Sequence, residues 1–273
     1  MIAASVLAGI WSATITPLDE QFFPDTARAL AYYHDLLEHG CTGVNVLGTT
    51  GEAMSLGVRA RTSLMQGLVD GGIPTNRLMF GTGACALDDA VELNRVAAGL
   101  GVSASLVMPP FFYRDVDDDG ILRFFDALFE RVTPPPVLLY NFPKMSGVRF
   151  NADLVDRLMR EFPGRITGMK DSSNDRALQR EILERHPGFC MLPGSEEFLL
   201  ETMEHGGSGC ISGSVALWPQ LAADAYRTKD PALARELAEK RRSLGTALLI
   251  PTVRERIAEA RNDAAWLRAM PPL

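Results

Sequence analysis

Eight short runs of β-branched and apolar residues, separated by amphipathic stretches of roughly ten to fifteen residues, constrain this chain more than any other feature. The runs are Ala13–Pro17, Thr42–Leu47, Leu78–Thr82, Ser105–Met108, Val137–Asn141, Ile166–Lys170, Cys190–Leu192 and Gly209–Ser212. Helical periodicity occupies Asp25–His39, Gly57–Val69, Asp88–Leu100, Asp119–Val132, Ala152–Phe162 and Asp175–Arg185. Each crossover helix returns the chain to the same edge of a sheet, so successive strands pair in parallel. Eight such units without a long interruption predict a (β/α)8 TIM barrel. The doubly wound open sheet is the alternative. It calls for a Gly-x-Gly-x-x-Gly turn after the first strand, whereas Gly81-Thr82-Gly83 lacks the third glycine and follows the third strand. Beyond Tyr226 two further helical patterns, Pro231–Leu244 and Pro251–Trp266, exceed what a barrel needs. They predict a barrel domain over residues 1–226 and a C-terminal helical extension over 227–273, joined without a Gly/Ser-rich linker.

Composition narrows the function classes. Of 273 residues 47% are hydrophobic and 22% charged, which suits one large globular domain with a sizeable core. A net charge of −7 and dispersed arginines leave no basic stripe for a phosphate backbone, so no nucleic-acid partner is expected. The first ten residues are apolar without a positively charged start, and no run approaches bilayer length. A cytoplasmic protein with no membrane partner is therefore expected. Cys41, Cys85, Cys190 and Cys210 are widely spaced and read as small apolar fillers in a reducing compartment. His34, His39, His186 and His205 fall in helices or at helix ends, and no metal site is expected from them. Asp117-Asp118-Asp119-Gly120 reads as a solvated helix start favoured by the helix dipole.

In a barrel the chemistry gathers at the C-terminal ends of the strands, and three of those ends carry polar groups. The sixth strand ends on Lys170, one of four lysines beside twenty-three arginines. It follows apolar and small residues and precedes the turn Asp171-Ser172-Ser173-Asn174-Asp175. An amine in an apolar pocket loses part of its preference for the ammonium form, and only the neutral amine attacks a carbonyl to form a Schiff base. The alternative is a strand-end lysine paired with Asp171 or a helix carboxylate. The second strand runs into Gly48-Thr49-Thr50-Gly51-Glu52, whose glycines permit a tight turn offering N–H groups and hydroxyls to a carboxylate-sized anion. The fifth runs into Tyr140-Asn141-Phe142-Pro143, where Tyr140 is a proton shuttle or a structural barrel tyrosine. An imine-forming lysine, a proton-transferring tyrosine and a carboxylate cradle are the parts needed to turn an α-keto acid into an enamine.

These three motifs, in order and spacing, resemble the dihydrodipicolinate synthase and N-acetylneuraminate lyase superfamily of class I pyruvate-dependent aldolases. The likeness extends to Thr14-Ile15-Thr16-Pro17, Gly81-Thr82-Gly83, Gly206–Ser212 and Met270-Pro271-Pro272-Leu273. The resemblance implies that Lys170 forms the imine with pyruvate, that Tyr140 transfers protons and that Thr49 links Tyr140 to a relay. It further implies that Thr50 with Gly48 and Thr49 holds the pyruvate carboxylate, and that Gly194 and Ile211 line the pocket. No cofactor is implied beyond the covalent imine, and a homodimer or homotetramer is expected. Ser212, with Gly213 and Ser214, is a candidate for substrate hydroxyls or ordinary loop chemistry.

Two positions depart from the synthase pattern. Five residues after the tyrosine, where synthases carry an arginine for the second substrate's carboxylate, stands Met145, with Lys144 beside it as a flexible point charge. In Pro109-Pro110-Phe111-Phe112-Tyr113, Phe112 occupies the place of a relay tyrosine that a neighbouring subunit contributes in many members. Either Tyr113 takes over, or protons pass through water or substrate hydroxyls. The expected reaction is reversible aldol cleavage or condensation of pyruvate with an aldehyde, on a 2-keto-3-deoxy sugar acid or related 4-hydroxy-2-oxo acid. The alternatives are 4-hydroxy-tetrahydrodipicolinate synthase, a Schiff-base dehydratase or hydratase-aldolase, and a ligand-binding regulatory protein on the same scaffold.

Overall fold

A computed structural model of the chain describes residues 7–245 and 249–273. Its eight strands are β1 (Gly9–Ala13), β2 (Gly43–Val46), β3 (Leu78–Gly81), β4 (Ala104–Val107), β5 (Val137–Asn141), β6 (Ile166–Asp171), β7 (Cys190–Pro193) and β8 (Gly209–Ser212). Every ladder is parallel, in the order β7-β6-β5-β4-β3-β2-β1-β8, so β1 pairs with β8 and the sheet curls into a barrel. The backbone N–H of Ser208 donates to the Met191 carbonyl at 2.9 Å across the remaining gap. The barrel reading holds, and the open doubly wound sheet is excluded.

Apolar periodicity sets where the helices form, and side-chain caps open several of them. They are α1 (Thr26–Glu38), α2 (Val58–Asp70), α3 (Leu87–Leu100), α4 (Asp118–Arg131), a four-residue α5 (Pro143–Ser146), α6 (Ala152–Glu161), α7 (Arg176–Arg185), α8 (Leu199–Glu204), α9 (Pro219–Thr228), α10 (Pro231–Ser243) and α11 (Leu249–Arg261). Asp25, Asp117, Asn151 and Asp175 accept from the backbone N–H three residues on, at 2.7–3.1 Å. Each such cap is worth about 1 kcal/mol. Asp117–Asp119 is thus the start of a helix, as its composition implied. Helix α8, six residues long, and α5 went unmarked in the periodicity because neither completes two turns.

Two apolar clusters organise the interior. The larger lies between the strands' outer faces and the helices and includes Tyr33, Val44, Leu64, Phe80, Phe125, Leu139, Met169 and Met191. The smaller fills the barrel with Trp11, Ala13, Met79, Leu106, Met108, Leu138, Tyr140, Cys190, Leu192 and Ile211. The period of two along each strand sorts residues between them. Gly43 makes room for the Trp11 indole, since a Cβ there would stand 2.2 Å from the ring.

Two expectations need correction. The first strand is Gly9–Ala13, not Ala13–Pro17. Thr14–Pro17 has the β-branched composition of a strand, but the ladder with β8 runs from Gly9 to Ser12, and Pro17 has no N–H to extend it. Cys85 is exposed and is no core filler. The other three cysteines are buried, and burial pushes the Cys41 thiol up to about 12, the Cys190 thiol up to about 11 and that of Cys210 well above its ordinary value. They stay neutral and pack as small apolar groups. Among the described residues no helix is long and apolar enough to cross a membrane, and no three His, Cys, Asp or Glu residues group as metal ligands.

Candidate active site

Lys170 and Tyr140 are register partners on β6 and β5, so the pleat points both side chains into the barrel at its C-terminal end. Each is only 4% exposed. Lys170 Nζ lies 4.5 Å from the centroid of the Tyr140 ring. The Tyr140 hydroxyl in turn lies 3.1 Å from Thr49 Oγ1, bringing residues ninety-one positions apart into one hydrogen bond. The structure therefore collects Lys170, Tyr140 and Thr49 in one place.

The pairing of Lys170 with Asp171 does not occur. Asp171 is the next residue along the strand and faces the opposite way, where its carboxylate accepts from Asn141 Nδ2 at 2.7 Å, Gln179 Nε2 at 2.6 Å and Ser173 Oγ at 3.0 Å. Burial nevertheless raises the Asp171 pKa, the hydrogen bonds offsetting part of the desolvation. Among the described residues Lys170 enters no ion pair. A network behind β6 thus fixes the strand end while the amine on its front face stays uncommitted.

The turn after β2 is shaped by backbone in the left-handed region at Leu47 (φ 61°) and Glu52 (φ 56°). Between them, Gly48 and Thr50 are buried and Thr49 is half-buried. Gly213 packs against Thr50: a Cβ at that position would stand 2.9 Å from Thr50 Oγ1. Ile211 belongs to the same interior cluster as Tyr140. Gly194 follows β7, and its N–H donates to the Asp171 carbonyl at 2.7 Å. Ser212 is on the other face of β8 from Ile211, with its hydroxyl 3.1 Å from that of Ser214. Met145, on α5, is 40% exposed, and Phe112 and Tyr113, on the loop between β4 and α4, are each 75% exposed. Their rings touch one another edge to face, 5.3 Å apart.

Three groups escaped the sequence reading. Phe111 and Phe142 pack on the interior cluster, and the Phe142 ring lies 6.0 Å from that of Tyr140. The alternation of Tyr140, Asn141 and Phe142 carried that signal, since residues two apart share a face. Glu52 closes the Gly48–Glu52 turn and is buried against Arg254 of α11, with Arg254 Nε 2.8 Å from Glu52 Oε1. Arg254 also donates to the Thr16 carbonyl at 2.8 Å, and Glu52 Oε2 accepts from the Met270 N–H at 2.6 Å. No local pattern links positions 202 residues apart. Asn45, on β2, is wholly buried within the barrel, and its amide is a polar exception in an otherwise apolar run.

Eight parallel strands thus close into a barrel with Lys170, Tyr140 and Thr49 gathered at the strand ends. The model of the dihydrodipicolinate synthetase family matches residues 6–264. The chain belongs to that family, whose members are pyruvate-dependent lyases. It is 33% identical over 216 residues to an uncharacterized DapA-like lyase of Chloroflexus aurantiacus, covering 78% of this chain and 72% of that one. It is 32% identical over 241 residues to the 4-hydroxy-tetrahydrodipicolinate synthase of Neisseria meningitidis, covering 86% and 81%. It is 30% identical over 229 residues to YagE of Escherichia coli, a putative 2-dehydro-3-deoxy-D-gluconate aldolase, covering 81% and 74%. The crystal structure of YagE with pyruvate superposes with a TM-score of 0.87 at 26% identity, covering 97% of this chain and 92% of that one.

Proposed function

We propose that the protein is a Schiff-base aldolase or lyase that cleaves or forms the bond between pyruvate and an aldehyde, acting on a 2-keto-3-deoxy sugar acid or a related 4-hydroxy-2-oxo acid. The cluster of Lys170, Tyr140 and Thr49 carries this reading. Lys170 supplies the amine that condenses with the ketone of the 2-oxo acid, releasing water and leaving an imine that draws electrons from the neighbouring carbon. The Tyr140 hydroxyl, held by Thr49 at 3.1 Å, moves protons at the hydroxyl of the carbon being cleaved. Thr49, Thr50 and the backbone at Gly48 bind the carboxylate, and Gly194 and Ile211 close the pocket from β7 and β8. No cofactor is needed, because the imine is the electron sink.

The test is to treat the protein with pyruvate and borohydride and to map the reduced adduct by peptide mass. A single adduct on Lys170 is expected, and a folded protein with none would sink the mechanism. For Tyr140→Phe, borohydride trapping should persist under saturating pyruvate while turnover falls by about 10²–10⁴-fold, the usual scale of general acid–base catalysis. An equal loss of trapping and turnover would show that Tyr140 only shapes the pocket.

The synthase reading has the Neisseria relative in its favour. Against it stands Met145, which offers no planar cation for a second carboxylate. A panel of aldehydes and 2-keto-3-deoxy acids separates the two. The same reading makes the protein cytoplasmic and a homodimer or homotetramer, which would cover the exposed Phe112 and Tyr113. Light scattering of the purified protein tests the assembly, and a monomer would refute it.

A further inference from the structure

One buried cation has no place in the reaction described above. Arg61 is 3% exposed and shares the buried face of α2 with Leu64, Met65 and Leu68. Its Nη2 donates to the Gly81 carbonyl at 2.8 Å and to the Gly83 carbonyl at 3.1 Å, while its Nε has no hydrogen-bond partner among the described residues. Among the same residues it enters no ion pair, and Asp89, the carboxylate that acts on it from a distance, is exposed. Burial lowers the guanidinium pKa to about 10, so the group remains a cation at neutral pH. A buried charge without a counter-ion carries a large desolvation cost, and two carbonyl acceptors offset only part of it. An uncharged amide donor on α2 would serve those carbonyls without that cost.

The guanidinium lies next to the turn that the proposed mechanism assigns to the pyruvate carboxylate. Gly81 is the link: its carbonyl accepts from Arg61, and a Cβ on the same residue would stand 2.0 Å from the Leu47 carbonyl oxygen and 3.1 Å from the Gly48 nitrogen. One backbone segment thus separates the charge from the start of the Gly48–Thr50 cradle. The other buried cations among the described residues are Arg254 and Lys170. Arg254 is neutralised by Glu52. Lys170 cannot supply positive charge at the moment of attack, because only its neutral amine adds to the ketone. The standing charge beside the cradle is therefore that of Arg61.

We propose that Arg61 is a specificity-determining residue for the 2-oxo acid: its charge makes the Gly48–Thr50 turn select a carboxylate over an uncharged group. The inference rests on the Schiff-base reading. Arg61 touches no substrate atom and exchanges no proton. It acts through the protein interior, where the lower effective dielectric keeps a Coulomb interaction strong over a distance at which water and salt would screen it. Its effect falls on how tightly the 2-oxo acid is held before the imine forms, and not on the proton transfers at Tyr140.

The experiment compares pyruvate with pyruvamide, which carries the same ketone and no charge, in borohydride trapping on Lys170 at subsaturating ligand. The unaltered protein should trap pyruvate more efficiently than pyruvamide. In Arg61→Gln, which keeps an amide donor and loses the charge, trapping of pyruvate should fall ~10-fold while that of pyruvamide is unchanged, the scale of one charge acting across a backbone segment. Arg61→Lys, which keeps the charge, should retain most of the preference. Arg61→Met, of similar length and uncharged, gives the same reading as Arg61→Gln if the latter does not fold. Pyruvate trapping at the unaltered rate in the uncharged variant overturns the inference alone. So does an equal loss for both ligands, which marks a structural role, and so does an Arg61→Lys protein that has lost the preference, which assigns the effect to the guanidinium's donors and not to its charge. Absence of any Lys170 adduct in the unaltered protein overturns the Schiff-base reading and this inference with it.

Discussion

Lys170→Ala is expected to lose the borohydride adduct and to lower turnover by at least ~10⁴-fold, because the covalent route disappears with the amine. Lys170→Arg is the sharper control. A guanidinium keeps the positive charge beside Tyr140 but remains protonated and cannot form an imine. If Lys170 served only to attract a carboxylate, the arginine variant would retain substantial activity. Under the proposed mechanism it is as inactive as the alanine variant, while both keep the fold. The geometry favours the second outcome: the side chain is almost wholly buried and its neighbour Asp171 is engaged by Asn141, Gln179 and Ser173 on the other face of the strand.

The largest effect on stability is expected at Arg254. Arg254→Met strands the Glu52 carboxylate, whose exposure is 1%, without its counter-ion. Breaking a buried pair in this way costs about 3–5 kcal/mol, whereas exchanging both partners for uncharged residues costs much less. For a chain of this size each kcal/mol lowers the melting temperature by roughly 2–4 °C, so a drop on the order of 10 °C is expected by calorimetry. Glu52→Gln combined with Arg254→Met should recover much of it. Because Glu52 ends the turn that carries Thr49 and Thr50, the single variant should also raise the KM for pyruvate. A melting temperature within a degree or two of the unaltered protein would show that the pair is replaceable. Arg254, Thr16 and Met270 together tie the C-terminal segment to the turn at the mouth of the barrel.

Much of the site was legible because it is local. Gly48–Glu52, Tyr140–Pro143 and Gly168–Ser173 each sit where a strand meets a loop, and the barrel rule alone brings such ends to one rim. The first strand was misplaced because β-branched composition at Thr14–Pro17 imitates a ladder that hydrogen bonding confines to Gly9–Ala13. Cys85 was misjudged because residue type says nothing of exposure in a loop.

By itself the sequence determined the parallel eight-stranded barrel and the strand ends that carry the candidate lysine, tyrosine and threonine. Both follow from periodicity along the backbone, a property of neighbouring residues. Only the tertiary structure decided that the Tyr140 hydroxyl meets Thr49 and that Glu52 is neutralised by Arg254. These depend on barrel closure and on where α11 packs, which bring together residues 91 to 202 positions apart. Directed hydrogen bonds between such distant groups leave no periodic trace in the chain.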